Sequence, residues 1–333
     1  MACLRIGLFS VGGVAMIRAR GLTRRFKVRR GVVEAVRGVD MDVEQGQLVA
    51  FLGPNGAGKS TCLRMLTTLL RPTAGSAVVA GRDVVRDPVG VRGRIGYVGQ
   101  KNGAGEGFRV RDELVTQGRA YGMSRAVARV RADEVMGLLE LESLADRTPA
   151  TLSGGQRRRL DIALGLVHRP ELLFLDEPST GLDPQSRADI WGHILRLRER
   201  HGMTIFLTTH YLEEADSMAE RVVIIDRGRV IADGTADGLK AGLAGDRVTV
   251  EVEEGFSGRA AEMARRVVEP GEVVVEGTVV RLRVARAASA VPGYLRALDE
   301  AGVKVLSAET ARPTLDDVFL ALTGRTLREE GAA

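Results

Sequence analysis

Cysteine is scarce in this sequence, with only Cys3 and Cys62 among 333 residues. Two cysteines are too few for a disulfide framework or for a metal site built from several thiolates. We therefore expect a protein of a reducing, cytosolic compartment. The length suits one large domain plus a smaller one. A content of 44% hydrophobic and 27% charged residues is typical of a globular protein with a sizeable core.

A long apolar run is also missing. A membrane-spanning helix needs about 20 mostly apolar residues, and no stretch approaches that length. The nearest candidate, residues 6–15 after Arg5, superficially resembles the apolar part of a secretory signal. We interpret residues 1–15 instead as an N-terminal extension that an overextended start would explain, with Met16 as the native first residue, because the strand pattern begins there.

Charge of one sign is not concentrated in any segment. The net charge is +5, and 43 acidic residues are interspersed with basic residues that are nearly all arginine. Since no single-sign arm or tail occurs, we attribute the arginine excess to genome composition and expect no nucleic-acid partner. A modest basic surface would favour an anionic membrane face only weakly.

Strand-like and helix-like patterns alternate along the first two thirds of the chain. Residues 17–49 predict antiparallel strands, and residues 48–52 predict a buried strand that stops at Gly53. Residues 61–70 then have helical spacing. Further helices are predicted over residues 110–144, 156–167 and 186–200, and further strands over residues 172–175 and 204–208. This alternation predicts an α/β domain over residues 16–239, with a largely parallel sheet covered on both faces.

The pattern changes between residues 234 and 245, where four glycines predict a linker: Gly234, Gly238, Gly242 and Gly245. Beyond it we predict strands over residues 248–252, 273–275, 279–284 and 303–308, and helices over residues 259–268, 289–301 and 315–322. The order strand–helix–strand–strand–helix–strand predicts a small α+β domain of ferredoxin-like type over residues 246–325.

A glycine-rich segment after the first buried strand fits the phosphate-binding pattern GxxxxGK[ST]. It consists of Gly53, Pro54, Asn55, Gly56, Ala57, Gly58, Lys59, Ser60 and Thr61. Glycines let the backbone turn its N–H groups toward phosphate oxygens, and the following helix adds the positive end of its dipole. We expect Lys59 to reach the β- and γ-phosphates of a nucleotide and Ser60 to bind Mg²⁺.

A pair of carboxylates follows the second buried strand. Four apolar residues, 172–175, lead directly into Asp176 and Glu177. Asp176 suits a Mg²⁺ ligand, and Glu177 suits a general base that positions or deprotonates an attacking water. On its own, the pair is equally well explained as an acidic strand end that caps a helix.

Another glycine pair lies at the start of a predicted helix. Ser153 occupies an N-cap position, and Gly154, Gly155 and Gln156 follow it. Exposed N–H groups at a helix N-terminus favour an anion, although nothing within one subunit requires a second anion site there. The plain alternative is an ordinary turn.

These motifs, in this order, resemble the ABC ATPases over about residues 17–239. The resemblance implies a P-loop NTPase (RecA-like) core with an antiparallel β subdomain and an α-helical signature subdomain. Asp176 and Glu177 match the Walker B aspartate and the catalytic glutamate. Leu152 to Gln156 match the LSGGQ signature, which in that family binds the γ-phosphate of ATP held by the partner subunit.

Four further residues match the family by their position along the chain. Gln100 matches the glutamine that links the nucleotide to the membrane partner, and Asp183 ends a segment that resembles the D-loop. His210 matches the switch histidine, and Phe26 lies where the family has an aromatic residue that stacks on adenine. Taken singly, His210 is explained as a strand-end histidine and Phe26 as a core residue.

The resemblance narrows in the C-terminal part. Residues 157–161, 208–215 and 313–320 look like those of the daunorubicin-resistance group of drug-export ATPases, which carry a C-terminal accessory domain. Residues 101–107 depart from the family by being glycine-rich where it contacts its membrane partner, and they predict a flexible loop. We interpret the three consecutive arginines Arg157 to Arg159 as a solvated helix surface.

The resemblance implies the ATP-hydrolysing subunit of an exporter of drug-like or lipophilic compounds. ATP and Mg²⁺ are the expected cofactors, with Ser60, Gln100 and Asp176 toward the metal and Glu177, His210, Gln100 and Lys59 in catalysis. The expected partners are a second copy, which completes each ATP site head-to-tail, and a separate ABC permease at the inner face of the cell membrane. The alternatives are an importer ATPase, a non-transport ABC protein of nucleic acid or translation, and a non-enzymatic binding module.

Overall fold

The computed structural model describes residues 4–6, 15–29, 31–243, 245–268 and 270–324. The chain divides into two compact units, Met1–Asp233 and Gly234–Ala333. Of the predicted extension over residues 1–15, only Leu4–Ile6 and Ala15 are described, and both belong to strands. The remainder of that extension lies outside the described residues. None of the helices in the described part of the chain has the length and apolar character needed to span a membrane.

A seven-stranded sheet forms the centre of the first unit in the described part of the chain, in the order β1-β11-β10-β4-β9-β8-β7. Its strands are β1 (Leu4–Ile6), β11 (Arg229–Gly234), β10 (Arg221–Asp226), β4 (Leu48–Leu52), β9 (Thr204–Thr209), β8 (Leu172–Asp176) and β7 (Ile95–Val98). The five strands from β10 to β7 run parallel. Strands β4, β8 and β9 are buried along their whole length. This burial explains why they contain no charged residue except Asp176 at the end of β8.

A second sheet covers one side of the first unit and is antiparallel, as predicted for residues 17–49. Its order is β3-β2-β5-β6, with the strands β3 (Gly31–Glu44), β2 (Ala15–Val28), β5 (Ala74–Val79) and β6 (Arg82–Asp83). Apolar residues of this sheet share one buried cluster with the first helix and the parallel strands. The shared core fixes the antiparallel sheet beside the phosphate loop, which lies at the end of β4.

The helices of the first unit are α1 (Lys59–Leu66), α2 (Pro88–Arg92), α3 (Val110–Ala120), α4 (Arg125–Leu138), α5 (Gly154–Leu166), α6 (Pro184–His201) and α7 (Leu212–Met218). The short helices α2 and α7 were not predicted, and the other five lie close to the predicted positions. Helix α1 ends four residues before the predicted Leu70 because Thr68 adopts a left-handed backbone, φ 63°. Gly122, also left-handed with φ 85°, separates α3 from α4, and Ser124 caps α4.

The second unit folds around a four-stranded antiparallel sheet of order β13-β14-β12-β15. Its elements are β12 (Asp246–Val252), α9 (Ser257–Val267), β13 (Glu272–Glu276), β14 (Val279–Val284), α10 (Ala287–Glu300), β15 (Val305–Ala311) and α11 (Leu315–Thr323). The strand order and the two helices are those of a ferredoxin-like fold. Apolar side chains of β12, β14, α9 and α10 form its core.

The predicted linker over residues 234–245 is wrong for its middle part, which forms helix α8 (Ala236–Leu243). Thr235 lies before the helix, and its hydroxyl accepts a hydrogen bond from the Gly238 amide at 3.1 Å. Ala236 and Leu239 are buried, and α8 packs against α11. Burial of this apolar face outweighs the weak helix propensity of the glycines, each of which costs about 1 kcal/mol relative to alanine.

Candidate active site

The phosphate loop joins β4 to α1, and two of its glycines are required by close approach of the backbone. A Cβ at Gly53 would lie 2.3 Å from the carbonyl oxygen of Ile225, and one at Gly58 would lie 2.5 Å from that of Ala35. Gly58 is also the N-cap of α1 with φ 105°. Any side chain at either position would displace the loop from the end of the sheet.

The remaining loop residues divide into an exposed tip and a buried base. Asn55 and Gly56 are exposed, whereas Ala57 is buried and Thr61 is half-buried. The Ala57 amide donates to the Pro54 carbonyl at 3.2 Å, which closes the turn. The loop therefore presents its tip to solvent while its base is held against the protein.

Lys59 is the buried cation of the loop, with 5% of its surface exposed. Its Nζ donates to the carbonyl oxygens of Gly53 at 2.7 Å and Pro54 at 3.1 Å. The same atom lies 3.4 Å from Oε1 of Glu177. Burial lowers the pKa of Lys59, and the Glu177 carboxylate opposes that shift. A positive charge is thus held at the loop by one carboxylate and two carbonyl groups.

Asp176 ends β8 and meets the loop through hydroxyl groups. Its Oδ1 accepts hydrogen bonds from Ser60 Oγ at 3.0 Å and from Thr208 Oγ1 at 2.6 Å. Gln100 Nε2 donates to Ser60 Oγ at 3.3 Å. Burial raises the pKa of Asp176, while the two hydroxyl donors lower it. The structure therefore brings the three predicted metal-site residues together.

Glu177 has an unusual backbone, since it is a non-glycine residue with φ 49°. Such a conformation costs about 1–2 kcal/mol and is often found at functional sites. Its amide donates to the carbonyl oxygen and Oγ1 of Thr208, at 3.2 and 3.0 Å, which fixes the turn. The parallel register of Asp176 with Thr208 lets this threonine bond to both the Asp176 carboxylate and the Glu177 amide.

The Glu177 carboxylate lies between a lysine and a histidine. Oε1 faces Lys59, and Oε2 lies 3.4 Å from His210 Nδ1 and accepts from Thr180 Oγ1 at 3.3 Å. His210 is the largest cause that lowers the pKa of Glu177, and the Lys59 charge adds to it against the effect of burial. Glu177 is therefore ionised at neutral pH and able to accept a proton.

The signature residues lie at the exposed start of α5. Ser153 and Gln156 form a capping box, in which Ser153 Oγ accepts from the Gln156 amide at 3.3 Å and Gln156 Oε1 accepts from the Ser153 amide at 3.0 Å. Ser153 and Gly154 are exposed. A Cβ at Gly155 would lie 2.7 Å from Ser186 Oγ, so glycine is needed there. Among the described residues, no hydrogen bond or ion pair joins Ser153 or Gln156 to the Lys59–Glu177 cluster.

Two other predicted site residues are explained locally by the structure. Asp183 is the N-cap of α6, and its carboxylate accepts from the amide and the hydroxyl of Ser186 at 2.9 and 2.6 Å. Phe26 is half-buried on β2, with the guanidinium carbon of Arg24 4.7 Å from its ring centroid. Their roles in nucleotide binding stay predictions.

The solvated helix surface predicted for the three consecutive arginines is wrong for Arg158, which was not among the predicted site residues. Arg158 is buried and donates to the carbonyl oxygens of Gly99 at 2.6 Å, Pro178 at 2.8 Å and Asp176 at 3.1 Å. Its side chain therefore ties α5 to the segments that carry Gln100, Asp176 and Glu177. Its neighbours are half-buried, and they donate to main-chain carbonyls as well, Arg157 to Pro149 and Arg159 to Leu139. Because the three residues are identical, the sequence does not indicate which of them points into the protein.

Asp161, one turn after Arg158, anchors part of the glycine-rich loop that was predicted to be flexible. Its Oδ1 accepts from the amides of Gly103 at 2.8 Å and Ala104 at 3.3 Å. Burial raises the pKa of Asp161, and these amides partly offset the shift. The loop is thus attached at two amides to the helix that begins with the signature. The signal in the sequence that could have indicated this role is the position of Asp161, a charged residue, on the apolar face of α5.

The fold and the site define an ATP-binding cassette. A family model described as ABC transporter matches residues 36–180. A dimeric ATP-binding cassette solved in a post-hydrolysis state with ADP and Pi superposes with a TM-score of 0.61 at 27% identity. The match covers 66% of this chain and 98% of that one. ATP binding and ATP hydrolysis are accordingly the activities of this class.

The C-terminal unit and the relatives narrow the class. A family model for the C-terminal domain of DrrA1-3-like ATP-binding proteins matches residues 234–323. The chain is 45% identical to the daunorubicin resistance ATP-binding protein DrrA3 of Streptomyces coeruleorubidus, over 92% of this chain and 96% of that protein. It is 43% identical to the daunorubicin/doxorubicin resistance ATP-binding protein DrrA of Streptomyces peucetius, over 92% of each. The chain belongs to the ABC transporter ATP-binding proteins of the daunorubicin-resistance family.

Proposed function

We propose that this ATPase drives the export of a drug-like or lipophilic compound through a separate membrane subunit, at the inner face of the cell membrane. The direction and the cargo class rest on relatives that are named for resistance to daunorubicin and doxorubicin. The observation that carries the ATPase chemistry is the Glu177 carboxylate held between Lys59 and His210, next to Asp176 and Ser60.

In the proposed reaction the phosphate loop binds the ATP phosphates through its N–H groups and Lys59. Glu177 accepts a proton from the attacking water as the new oxygen–phosphorus bond forms, and the bond to ADP breaks. The lowered pKa of Glu177 keeps the carboxylate ionised at neutral pH, which is the form that a base requires. His210 and Lys59 flank the carboxylate and hold it beside the loop.

Magnesium fits the donor set at the same place. The hydroxyl of Ser60, the carboxylate of Asp176 and the side-chain amide of Gln100 offer oxygen atoms, which Mg²⁺ prefers, and a single carboxylate leaves room for phosphate oxygens and water. When bound, the ion would neutralise charge on the β- and γ-phosphates. Among the described residues, no cluster of three or more histidine, cysteine or acidic side chains competes as a metal site.

The second copy is proposed to close the site with its own signature residues. Ser153 and Gly154 are exposed at the N-terminus of α5, a 13-residue helix whose dipole favours an anion. A related cassette is a dimer with ADP and Pi. We place the nucleotide-binding domain in residues 16–239 and an accessory domain in residues 246–325, with Phe26 against adenine and Asp183 at the dimer interface.

Transport by the reconstituted complex tests this function. The chain is co-expressed with its candidate permease, and ATP-dependent accumulation of daunorubicin is measured in inside-out membrane vesicles. We expect accumulation with the unaltered chain and none with Glu177→Gln, which keeps the shape of the side chain but removes the base. Equal accumulation with both proteins would refute ATP-driven export, and stimulation of hydrolysis by daunorubicin would support this cargo class.

A further inference from the structure

A small group of side chains packs next to His210 and has no role in the hydrolysis chemistry proposed above. It involves Arg187 on α6, Tyr211 and Glu214 on or next to α7, and Thr209 at the end of β9. Arg187 lies in the first turn and a half of α6, four residues after Asp183, and its amide donates to the Asp183 carbonyl at 2.9 Å. The group therefore connects the D-loop segment to the histidine.

The rings of the group are layered on one another. The guanidinium carbon of Arg187 lies 4.4 Å from the Tyr211 ring centroid, within the usual range of a cation–π contact. The Tyr211 ring lies 4.2 Å from the His210 ring, with the planes inclined by 36°. His210 in turn places Nδ1 3.4 Å from Oε2 of Glu177. A continuous series of contacts thus leads from Arg187 to the catalytic carboxylate.

A second connection passes through the buried Glu214. Its Oε2 accepts from Thr209 Oγ1 at 3.0 Å, and the same hydroxyl accepts from the Tyr211 amide at 2.9 Å. Its Oε1 faces Arg187 Nε at 3.7 Å, and both atoms are buried without a hydrogen bond in the described part of the chain. Two opposite charges therefore face each other across a gap slightly longer than a hydrogen bond. The hydrogen bonds from Thr209 to Glu214 and from the Tyr211 amide to Thr209 join the residues on both sides of His210.

We propose that Arg187 is a positioning residue for ATP hydrolysis, which holds His210 against Glu177 through Tyr211 and Glu214. Arg187 thereby links helix α6, which follows the D-loop segment, to the carboxylate of Glu177. This inference rests on the proposed roles of Glu177 and His210. Arg187 itself need not touch the nucleotide. Its loss should therefore slow the hydrolysis step without weakening the binding of ATP.

A double-mutant cycle on the full-length chain tests the inference. Steady-state ATPase kinetics are measured for Arg187→Gln, His210→Ala and the double variant. Arg187→Gln should lower kcat on the order of tenfold and change KM by less than about twofold. In the His210→Ala background the same substitution should have no further effect on kcat, because residues that act through one another are not additive.

Two matched variants complete the design. Arg200→Gln alters an exposed arginine near the other end of the same helix and should leave kcat unchanged. Arg187→Lys retains a cation opposite Glu214 and should recover most of the lost kcat. If Arg187→Gln fails to fold by its thermal unfolding profile, Arg187→Lys is compared in both backgrounds instead, and its smaller loss should again vanish with His210→Ala.

Other outcomes would overturn the inference or the function beneath it. Equal losses of kcat from Arg187→Gln with and without His210, an unchanged kcat, or a rise in KM alone would each refute positioning through the histidine. A chain that does not hydrolyse ATP, or a His210→Ala variant with unaltered kcat, would instead refute the proposed catalytic roles. The two failures are therefore distinguishable.

Discussion

The two proposed halves of the nucleotide site differ in how far one chain completes them. Around Lys59, Asp176 and Glu177, buried charges are paired and hydrogen-bonded within the subunit. At Ser153 and Gly154 the helix start is exposed, and the serine hydroxyl bonds only to its capping partner Gln156 in the described structure. The fold therefore holds the proposed catalytic groups in place within one chain, whereas the signature residues lie on the exposed surface.

Lys59→Ala should have the largest effect, because it removes the cation proposed for the phosphates and leaves Glu177 without one of its two flanking groups. We expect a loss of about 10³-fold in kcat/KM for ATP. Steady-state hydrolysis and binding of a fluorescent ATP analogue measure it. Lys304→Ala, at an exposed lysine of the C-terminal unit, is the control. Unchanged ATP turnover by Lys59→Ala would contradict the assignment of the phosphate-binding site to this loop.

Glu177→Gln should lower kcat by about 10²- to 10³-fold while ATP binding is retained, because the amide keeps the shape but cannot accept the proton. Size-exclusion chromatography with light scattering should detect a stable, ATP-dependent dimer. Its control is the same measurement with ADP, in which the chain should stay monomeric. Full hydrolysis by this variant would contradict the role given to Glu177.

Arg158→Leu tests the link between the two halves, since the arginine starts on the signature helix and ends at the carbonyl groups around Asp176. Its loss removes hydrogen bonds to four buried or partly buried carbonyl groups, and we expect the free energy of unfolding to fall by about 3 kcal/mol. Urea denaturation measures the change. Arg125→Leu, on the exposed start of α4, is the matched control and should change stability by less than about 0.5 kcal/mol. A similar change in the free energy of unfolding for both variants would contradict the proposed role of Arg158 in joining the two halves.

Ser153→Arg should have the smallest effect on a single chain and should act on the exposed half alone. A bulky side chain at the helix start would spare nucleotide binding, with Kd changed by less than about twofold, yet prevent ATP-dependent dimerisation. Hydrolysis should fall by at least about tenfold as a consequence. Ser153→Thr keeps the capping oxygen and should behave like the unaltered chain. Normal dimerisation of Ser153→Arg would refute a site completed by the partner.

Much of the site could be predicted because its chemistry is encoded in short segments. The spacing from Gly53 to Ser60 defines a turn between a buried strand and a helix, and parallel strands bring Asp176 to the same sheet edge as the loop. Thr208 was not predicted, because an apolar strand with a terminal threonine is common. Its position became meaningful only when the register placed it between Asp176 and Glu177.

The predictions failed where local pattern and burial compete. Glycines over residues 234–245 indicated a linker, but the buried side chains of Ala236 and Leu239 stabilise α8. The three arginines after the signature indicated a solvated face, but Arg158 is buried and donates to four carbonyl groups. Neither outcome follows from composition, since each depends on which surface of the protein lies opposite.

The order and spacing of the motifs alone determined the family of this protein, its phosphate loop and the two carboxylates proposed as metal ligand and general base. Those properties depend on residues that are adjacent in the chain or carried on successive strands, so local rules suffice. Only the tertiary structure decided that Arg158 points inward, that Asp161 holds the glycine-rich loop, and that Arg187 is layered on Tyr211 beside His210. Such contacts join distant segments, and packing selects them from many that the sequence permits equally.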